Sequence, residues 1–176
     1  MKAIELFAGA GGLGMGVSMA GFHHEAVVEW DGDACDTLRE NKSRGTMPVA
    51  GWPDVHQGDV RAFDYTALRD VDLVAGGPPC QPFSLGGKHR AHQDHRDMWP
   101  EAVRAVRELK PRAFMFENVR GLVRQAFATY FEHILLQLTY PELARRTNEE
   151  WTAHRERLEK YHTRGKTSGL CYRVVF

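Results

Sequence analysis

Short apolar runs separated by glycine- and proline-containing turns form the basic pattern of this chain. Five of these runs are predicted strands, at residues 2–7, 25–30, 55–59, 71–75 and 113–116. Segments with apolar residues at helical spacing lie at residues 13–20, 31–40, 98–109 and 123–138. Strands that alternate with helices favour an α/β fold with a mostly parallel sheet. The opening strand, glycine turn and helix are typical of a Rossmann-type βαβ unit.

The last part of the chain has a different pattern. Residues 141–160 are heavily charged, and opposite signs three and four residues apart predict a solvated helix. Trp151 and Leu158 are its candidate docking positions. Residues 163–169 are predicted to be a flexible link, and residues 170–176 to begin another strand. We therefore expect a single domain over residues 1–176 whose sheet is incomplete at the carboxyl end.

Composition restricts the class of protein. The chain has 176 residues and a formal net charge of zero, so nucleic-acid binding requires local patches or a part not present here. Three cysteines without CxxC spacing argue against a disulfide framework or a zinc ribbon, and favour a reducing compartment. No signal peptide or membrane-length apolar run is found in the sequence, which favours a cytoplasmic protein.

Residues 76–84 form the most distinctive segment, Gly-Gly-Pro-Pro-Cys-Gln-Pro-Phe-Ser, directly after a predicted buried strand. Glycines permit a sharp turn and prolines then restrict φ, so Cys80 is held on a rigid turn. A cysteine placed in this way is a candidate nucleophile, although a small buried structural thiol is the alternative interpretation. Glu117 also follows a predicted strand at the same sheet edge. This placement favours the interpretation of Cys80 and Glu117 as a catalytic pair.

Three strand ends suggest a nucleoside site. Residues 9–12 read Gly-Ala-Gly-Gly between the first strand and helix, and Glu29 lies twenty residues after the first glycine. Doubly wound folds place at this spacing a carboxylate that accepts hydrogen bonds from ribose hydroxyls. Asp59 ends the third strand at the same edge, and Trp30 offers an apolar face for an adenine ring. Solvated strand ends and a core tryptophan are the alternatives.

The polar loop at residues 85–97 follows the Cys80 turn and is rich in cationic side chains. Its histidines recur at every third residue, but no set of thiols or carboxylates completes a metal site, so no metal is predicted. Phosphate contact is the better interpretation of its cations, Lys88, Arg90 and Arg96.

Taken together, these segments closely resemble the cytosine-C5 DNA methyltransferases. Residues 7–12 resemble the family's first motif, residues 29–30 the second, Asp59 the third, residues 77–84 the fourth and residues 117–119 the sixth. Residues 96–99 match the family's Arg-Gly-x-Leu-like segment in part. Order and spacing agree as far as Val119, and residues 141–169 look like a charged helical insertion and linker.

The resemblance implies a Rossmann-like fold that uses S-adenosyl-L-methionine and transfers its methyl group to C5 of a cytosine flipped out of duplex DNA. Cys80 as thiolate would add to cytosine C6, and Glu117 as a protonated acid would bind N3. The expected cofactor-binding residues are Phe7, Ala8, Gly9, Gly11, Gly12, Leu13, Glu29, Trp30, Asp59, Val60, Gly77 and Pro79. The expected substrate-binding residues are Pro79, Ser84, Lys88, Arg90, Arg96 and Asn118.

Three parts of the family pattern are missing from the sequence: the Gln-x-Arg-x-Arg segment, the target-recognition domain and the carboxyl-terminal helix of the cofactor pocket. We therefore expect the chain to be nearly inactive alone and to act with a second polypeptide or a missing carboxyl-terminal part. The resemblance suggests a split or truncated bacterial enzyme of the restriction-modification type, cytoplasmic and associated with the nucleoid.

Three rival functions remain open at this point. A transfer-RNA cytosine-C5 methyltransferase shares the Pro-Pro-Cys turn and predicts methylation of RNA. A nicotinamide-dependent dehydrogenase explains the glycines and Glu29, but gives no role to Cys80 and Glu117. A non-catalytic cofactor-binding subunit predicts cofactor binding without a covalent adduct to cytosine.

Overall fold

The computed structural model describes residues 1–79, 97–165 and 168–176. The strands within these ranges are β1 (Lys2–Leu6), β2 (His23–Glu29), β3 (His56–Gln57), β4 (Leu73–Gly76) and β5 (Ala113–Phe116). The α-helices within them are α1 (Gly12–Met19), α2 (Gly32–Ser43), α3 (Trp99–Leu109), α4 (Ala128–Thr139) and α5 (Trp151–Thr163).

The five strands form one sheet in the order β3-β2-β1-β4-β5, and every neighbouring pair is parallel. The carboxyl ends of the central strands are in register: Leu6 is opposite both Val28 and Gly76. Gly76 is in turn opposite Phe116. Because the strand order reverses at β1, the turns after these strands open at a topological switch point, where α/β sheets bind ligands.

The chain divides into two compact units. The sheet unit comprises Met1–Pro79 and Glu108–Asn118, and so contains all five strands. The remaining described residues, 97–107, 119–165 and 168–176, belong to the second unit, here called the helical unit. All of the predicted site residues that the structure describes lie in the sheet unit.

Aliphatic side chains of the central strands form the core of the sheet unit. Ile4, Leu6 and Val74 are fully buried, as expected for parallel strands that are covered on both faces. One apolar cluster joins β2 and α2 to Trp52, and another joins β1 and β4 to Val17 of α1. The turns at the carboxyl ends of the strands therefore rest on a rigid support.

The helical unit packs α4 against α5. Ile134 and Leu158 are fully buried, and so are two histidines, His133 and His154. The His154 Nε2–H donates to the Leu143 carbonyl oxygen at 2.8 Å, and His154 Nδ1 lies 3.1 Å from His133 Nε2. The carbonyl thus selects the Nε2–H tautomer of His154, whose Nδ1 accepts from His133.

The first five predicted strands are confirmed in order, although most of their bounds differ. β5 has the predicted bounds, whereas β2 begins two residues earlier than predicted because His23 and His24 pair with β1. β3 is reduced to two residues, and Asp59 lies beyond it as the cap of a short 3₁₀ turn. A charged side chain that binds a nearby amide ends the strand.

Three predictions for the last part of the chain are wrong. Residues 120–127 form two 3₁₀ turns, so that helix α4 begins at Ala128 rather than at 123. The charged segment is helical only from Trp151. Residues 170–176 contain no strand, because Tyr172 N donates to the Thr139 carbonyl at the end of α4 and the Phe176 ring packs against Phe131.

In the part of the chain that the structure describes, none of the helices combines the length and apolarity needed to cross a bilayer.

Candidate active site at the carboxyl edge of the sheet

A tight turn after β1 opens the site. Phe7 has a φ of 56°, a left-handed conformation that a residue with a side chain adopts at a cost of about 1–3 kcal/mol. Gly11 has a φ of 91° and caps α1, and a Cβ there would lie 2.8 Å from Leu38 and 3.1 Å from the Trp52 ring. The turn is therefore closed on its core side. On its other side, a Cβ at Gly9 or Gly12 would meet no atom within 4 Å.

The carboxylate of Glu29 joins this turn to the end of β2. Its Oε2 accepts from the Gly9 amide at 2.6 Å, and its Oε1 accepts from the amides of Trp30 and Asp31 at 2.8 and 2.7 Å. Three backbone donors fix the carboxylate at the strand end: they occupy both acceptor sites of Oε1 and leave one on Oε2. Beside it, the Trp30 side chain is 67% exposed, an uncovered aromatic surface next to the glycine turn.

Asp59 lies at the next strand end, near Glu29, because the Gly58 amide donates to the Glu29 carbonyl at 2.9 Å. Both carboxylate oxygens of Asp59 are bound by Arg61, with Nε at 3.0 and 2.8 Å. The Arg61 side-chain hydrogen bond lowers the pKa of Asp59, so this side chain is an ionised acceptor at neutral pH. Val60 is buried directly after it.

A second pair of turns follows β4 and β5. The Glu117 amide donates to the Gly76 carbonyl at 3.0 Å, and the Asn118 side-chain amide donates to the Pro78 carbonyl at 2.8 Å. A Cβ on Gly77 would lie 3.6 Å from Glu117 Oε2. The two hydrogen bonds hold the backbone at Glu117 against the segment that leads to residue 80. The Glu117 side chain is exposed, and Pro79 is half-buried at the end of that segment.

Several predicted site residues lie outside the described residues, so the structure does not place them: Cys80, Ser84, Lys88, Arg90 and Arg96. The three loop histidines lie there too. Elsewhere, a search of the described residues finds no group of three or more His, Cys, Asp and Glu side chains that could hold a metal ion. Leu13 lies at the start of α1, and its side chain packs on the apolar cluster of β1 and β4.

Sequence reasoning missed the support beneath the glycine turn. Trp52 lies between the predicted helix at 31–40 and the predicted strand at 55–59, yet it is 6% exposed and contacts the positions of Gly11 and Gly14. Glu5 is buried at 1% exposure in the middle of β1. A charged residue within an apolar strand is the signal that could have identified Glu5, because a buried carboxylate requires partners.

Comparisons with known proteins agree with this architecture. A profile described as C-5 cytosine-specific DNA methylase matches residues 1–140. The Type II methyltransferase M.NgoMIV of Neisseria gonorrhoeae is 44% identical over 135 residues, which cover 77% of this chain and 41% of that protein. M.AquIA of Picosynechococcus is 38% identical over 149 residues, 80% of this chain and 57% of the relative. The chain thus spans roughly two-fifths to three-fifths of these two relatives.

Solved structures show the same fold. A DNA modification methyltransferase encoded within an E. coli prophage aligns with a TM-score of 0.56 and 28% identity, covering 77% of this chain and 37% of that one. DNMT2 of Spodoptera frugiperda aligns with a TM-score of 0.52 at 21% identity, covering 78% and 41%. The parallel sheet is therefore that of the S-adenosylmethionine-dependent methyltransferases.

Proposed function

Since this chain belongs to the C-5 cytosine-specific DNA methylase family, we propose that it transfers a methyl group to C5 of cytosine in DNA, with Cys80 as the nucleophile. Because it spans 41% of M.NgoMIV and 57% of M.AquIA, we propose further that it acts as one part of a larger enzyme of the restriction-modification type. The completing part would supply target recognition and the Gln-x-Arg-x-Arg segment.

One observation carries this proposal: the 2.8 Å hydrogen bond from the Asn118 side chain to the Pro78 carbonyl. It fixes the residues that lead to Cys80 against the strand end that bears Glu117. A nucleophile and an acid that must reach adjacent atoms of one pyrimidine need this kind of rigid connection, because small displacements of reacting groups reduce rates strongly.

The chemistry accounts for both residue types. Addition of the Cys80 thiolate to C6 breaks the 5,6 double bond and makes C5 nucleophilic. Glu117 as an acid would donate a hydrogen bond to N3 and so stabilise the negative charge that builds on the ring. Attack by C5 on the methyl group would break the bond from methyl to sulfur and release the cofactor as a neutral thioether. A base would then remove the C5 proton, the double bond would reform and Cys80 would leave as thiolate. The Cys80 thiolate is thereby regenerated.

The residues of the glycine turn fit a nucleoside cofactor. S-adenosyl-L-methionine supplies the electrophilic methyl group when it is bound. The open space at Gly9 and Gly12 would let the cofactor come close to the protein backbone, and Glu29 Oε2 would accept from a ribose hydroxyl. The exposed face of Trp30 would pack on the adenine ring. Asp59, already ionised and paired with Arg61, would accept from the adenine amino group.

The remaining assigned residues concern the nucleic acid. Pro79 would border the flipped cytosine, and Asn118 and Ser84 would help to hold it. Lys88, Arg90 and Arg96 would contact phosphates, a role that depends on charge and that salt would weaken. These roles rest on the family resemblance.

A methyl-transfer assay tests this proposal. The chain would be incubated with methyl-labelled S-adenosylmethionine and either duplex DNA or transfer RNA. Each mixture would be run with and without the part of M.NgoMIV that this chain does not match. We expect label at C5 of DNA cytosine only in the complemented mixture, and none with Cys80→Ala. Label in RNA alone, or label with Cys80→Ala, contradicts the proposal.

A further inference from the structure

A chain of polar side chains lies buried beneath the glycine turn. Glu5 of β1 and His24 of β2 are 1% and 8% exposed, and Glu5 Oε2 lies 3.7 Å from His24 Nε2. On the other side of the imidazole ring, His24 Nδ1 lies 3.2 Å from the Ser18 hydroxyl of α1. Trp52 completes the set through its Nε1–H, which donates to Ser18 Oγ at 2.8 Å.

The direction of these contacts follows from what each group is able to donate. The Trp52 indole can only donate, so Ser18 Oγ is its acceptor. A bare lone pair on His24 Nε2 would face the Glu5 carboxylate, so Nε2 carries the hydrogen. In the neutral ring, Nδ1 then accepts from the Ser18 hydroxyl. Donation therefore runs from Trp52 to Ser18 and from Ser18 to His24, and His24 Nε2 faces Glu5 Oε2 at 3.7 Å, beyond hydrogen-bond length.

This set of four side chains, here called the Glu5–Trp52 relay, connects the elements that form the glycine turn. Glu5 lies two residues before Phe7, and Ser18 lies on the helix that follows the turn. A Cβ on Gly14 would come within 3.4 Å of the Glu5 carboxyl carbon and 2.8 Å of the Trp52 ring. The relay thus touches both strands and the helix from the core side, opposite the open space above Gly9.

Stability alone does not explain such an arrangement. A buried carboxylate loses its hydration, and apolar side chains of similar volume are often as stable as a buried charged pair or more so. Glu5 Oε2 and His24 Nε2 face each other at 3.7 Å, and within the described part of the chain neither atom has a hydrogen-bond partner. What a buried polar chain adds is a defined relative position of the elements that it joins.

We propose that Glu5 and His24 are positioning residues that set the glycine turn for S-adenosyl-L-methionine without touching it. The inference rests on the proposed function, because it assigns these side chains to the cofactor site. It predicts that the relay controls affinity for the cofactor separately from the stability of the fold.

The test replaces Glu5 and His24 by apolar side chains. In Glu5→Leu/His24→Leu, the midpoint of thermal unfolding should stay equal or rise, while the dissociation constant for S-adenosylmethionine by calorimetry should increase roughly tenfold. Val74→Ala is the matched control, since it removes volume from a fully buried position of β4. It should lower the unfolding midpoint and leave the dissociation constant within about twofold.

Two further measurements keep the outcomes distinct. Glu5→Gln retains the shape of the side chain and a polar oxygen facing His24 Nε2, and should recover most of the lost affinity. Hydrogen exchange of the Gly9 and Gly11 amides, which needs no ligand, should accelerate in the double variant and not in Val74→Ala. Unchanged affinity and unchanged exchange in a folded double variant overturn the inference. The binding measurements are made with the completing part present, and failure of the wild-type complex to bind S-adenosylmethionine instead overturns the cofactor assignment on which the inference rests.

Discussion

The side-chain amide of Asn118 donates to the carbonyl oxygen of Pro78 at 2.8 Å and so ties the turn after β5 to the turn after β4. Next to it, the Glu117 amide donates to the Gly76 carbonyl at 3.0 Å. Two hydrogen bonds thus join the segment before Cys80 to the segment that bears Glu117. Removing the hydrogen bond from Asn118 to Pro78 should lower the rate of methyl transfer more than it lowers the stability of the fold.

We expect Asn118→Ala to lower methyl transfer in the complemented assay by about 10–100-fold, because the Cys80 turn loses its alignment with Glu117. The free energy of unfolding should fall by only about 1–3 kcal/mol, the cost of an unpaired carbonyl. Asn41→Ala, at a half-buried position of α2, is the control and should leave the rate unchanged. Equal rates for both variants would refute the alignment role.

Glu29 should control cofactor affinity through the Gly9 amide. In Glu29→Gln, an NH₂ group replaces one oxygen and faces a backbone donor, so the dissociation constant for S-adenosylmethionine should rise by roughly tenfold or more. Glu25→Gln is a suitable comparison, since it changes an exposed acid on the same strand. If the two variants bind equally well in calorimetry, Glu29 does not hold the ribose.

Two glycines should respond in opposite ways to alanine. A Cβ at Gly76 would lie 2.4 Å from the Leu6 carbonyl oxygen, so β1 and β4 must separate, at a cost of about 3 kcal/mol. Gly16 lies in α1, and a Cβ there would meet no atom within 4 Å, so Gly16→Ala should stabilise by about 0.5–1 kcal/mol. Urea unfolding measures both; a neutral Gly76→Ala would contradict the close approach of the strands.

The buried histidines should make the fold sensitive to acid. Burial, followed by the effect of His154, lowers the pKa of His133 to about 3, whereas an unfolded histidine titrates near 6.5. The folded state favours the neutral ring, so this contribution to stability is complete above about pH 6.5 and is lost as the pH falls towards 3. Between pH 7 and 5, the free energy of unfolding should therefore decline by up to about 1.4 kcal/mol per pH unit for this group.

Unfolding curves at several pH values test this slope. His133→Leu/His154→Leu should flatten the dependence between pH 5 and 7, because neither position then binds a proton. His56→Gln, which changes an exposed histidine, should keep the wild-type slope. A double variant as steep as the wild-type protein would assign the acid sensitivity to other groups.

The order of the elements could be predicted from the sequence because short apolar strands and glycine turns are local signals. β5 has its predicted bounds and Glu29 ends β2, whereas Asp59, predicted to end the third strand, lies two residues beyond β3. Residues 170–176 have a strand-like pattern, yet their contacts are with α4, and no local pattern encodes that choice. Trp52 shows the same limit, since its burial depends on Gly11 and Gly14, which are distant in sequence.

Covalent trapping of Cys80 tests the central claim most directly. Duplex DNA containing 5-fluorocytosine would be mixed with S-adenosylmethionine, this chain and the part of M.NgoMIV that it does not match. Fluorine at C5 prevents loss of the proton, so the thioether to C6 should persist. The account predicts a denaturation-resistant adduct that mass spectrometry maps to Cys80 and that Cys80→Ala abolishes. No adduct from a folded, cofactor-bound complex, or an adduct at another residue, would contradict it.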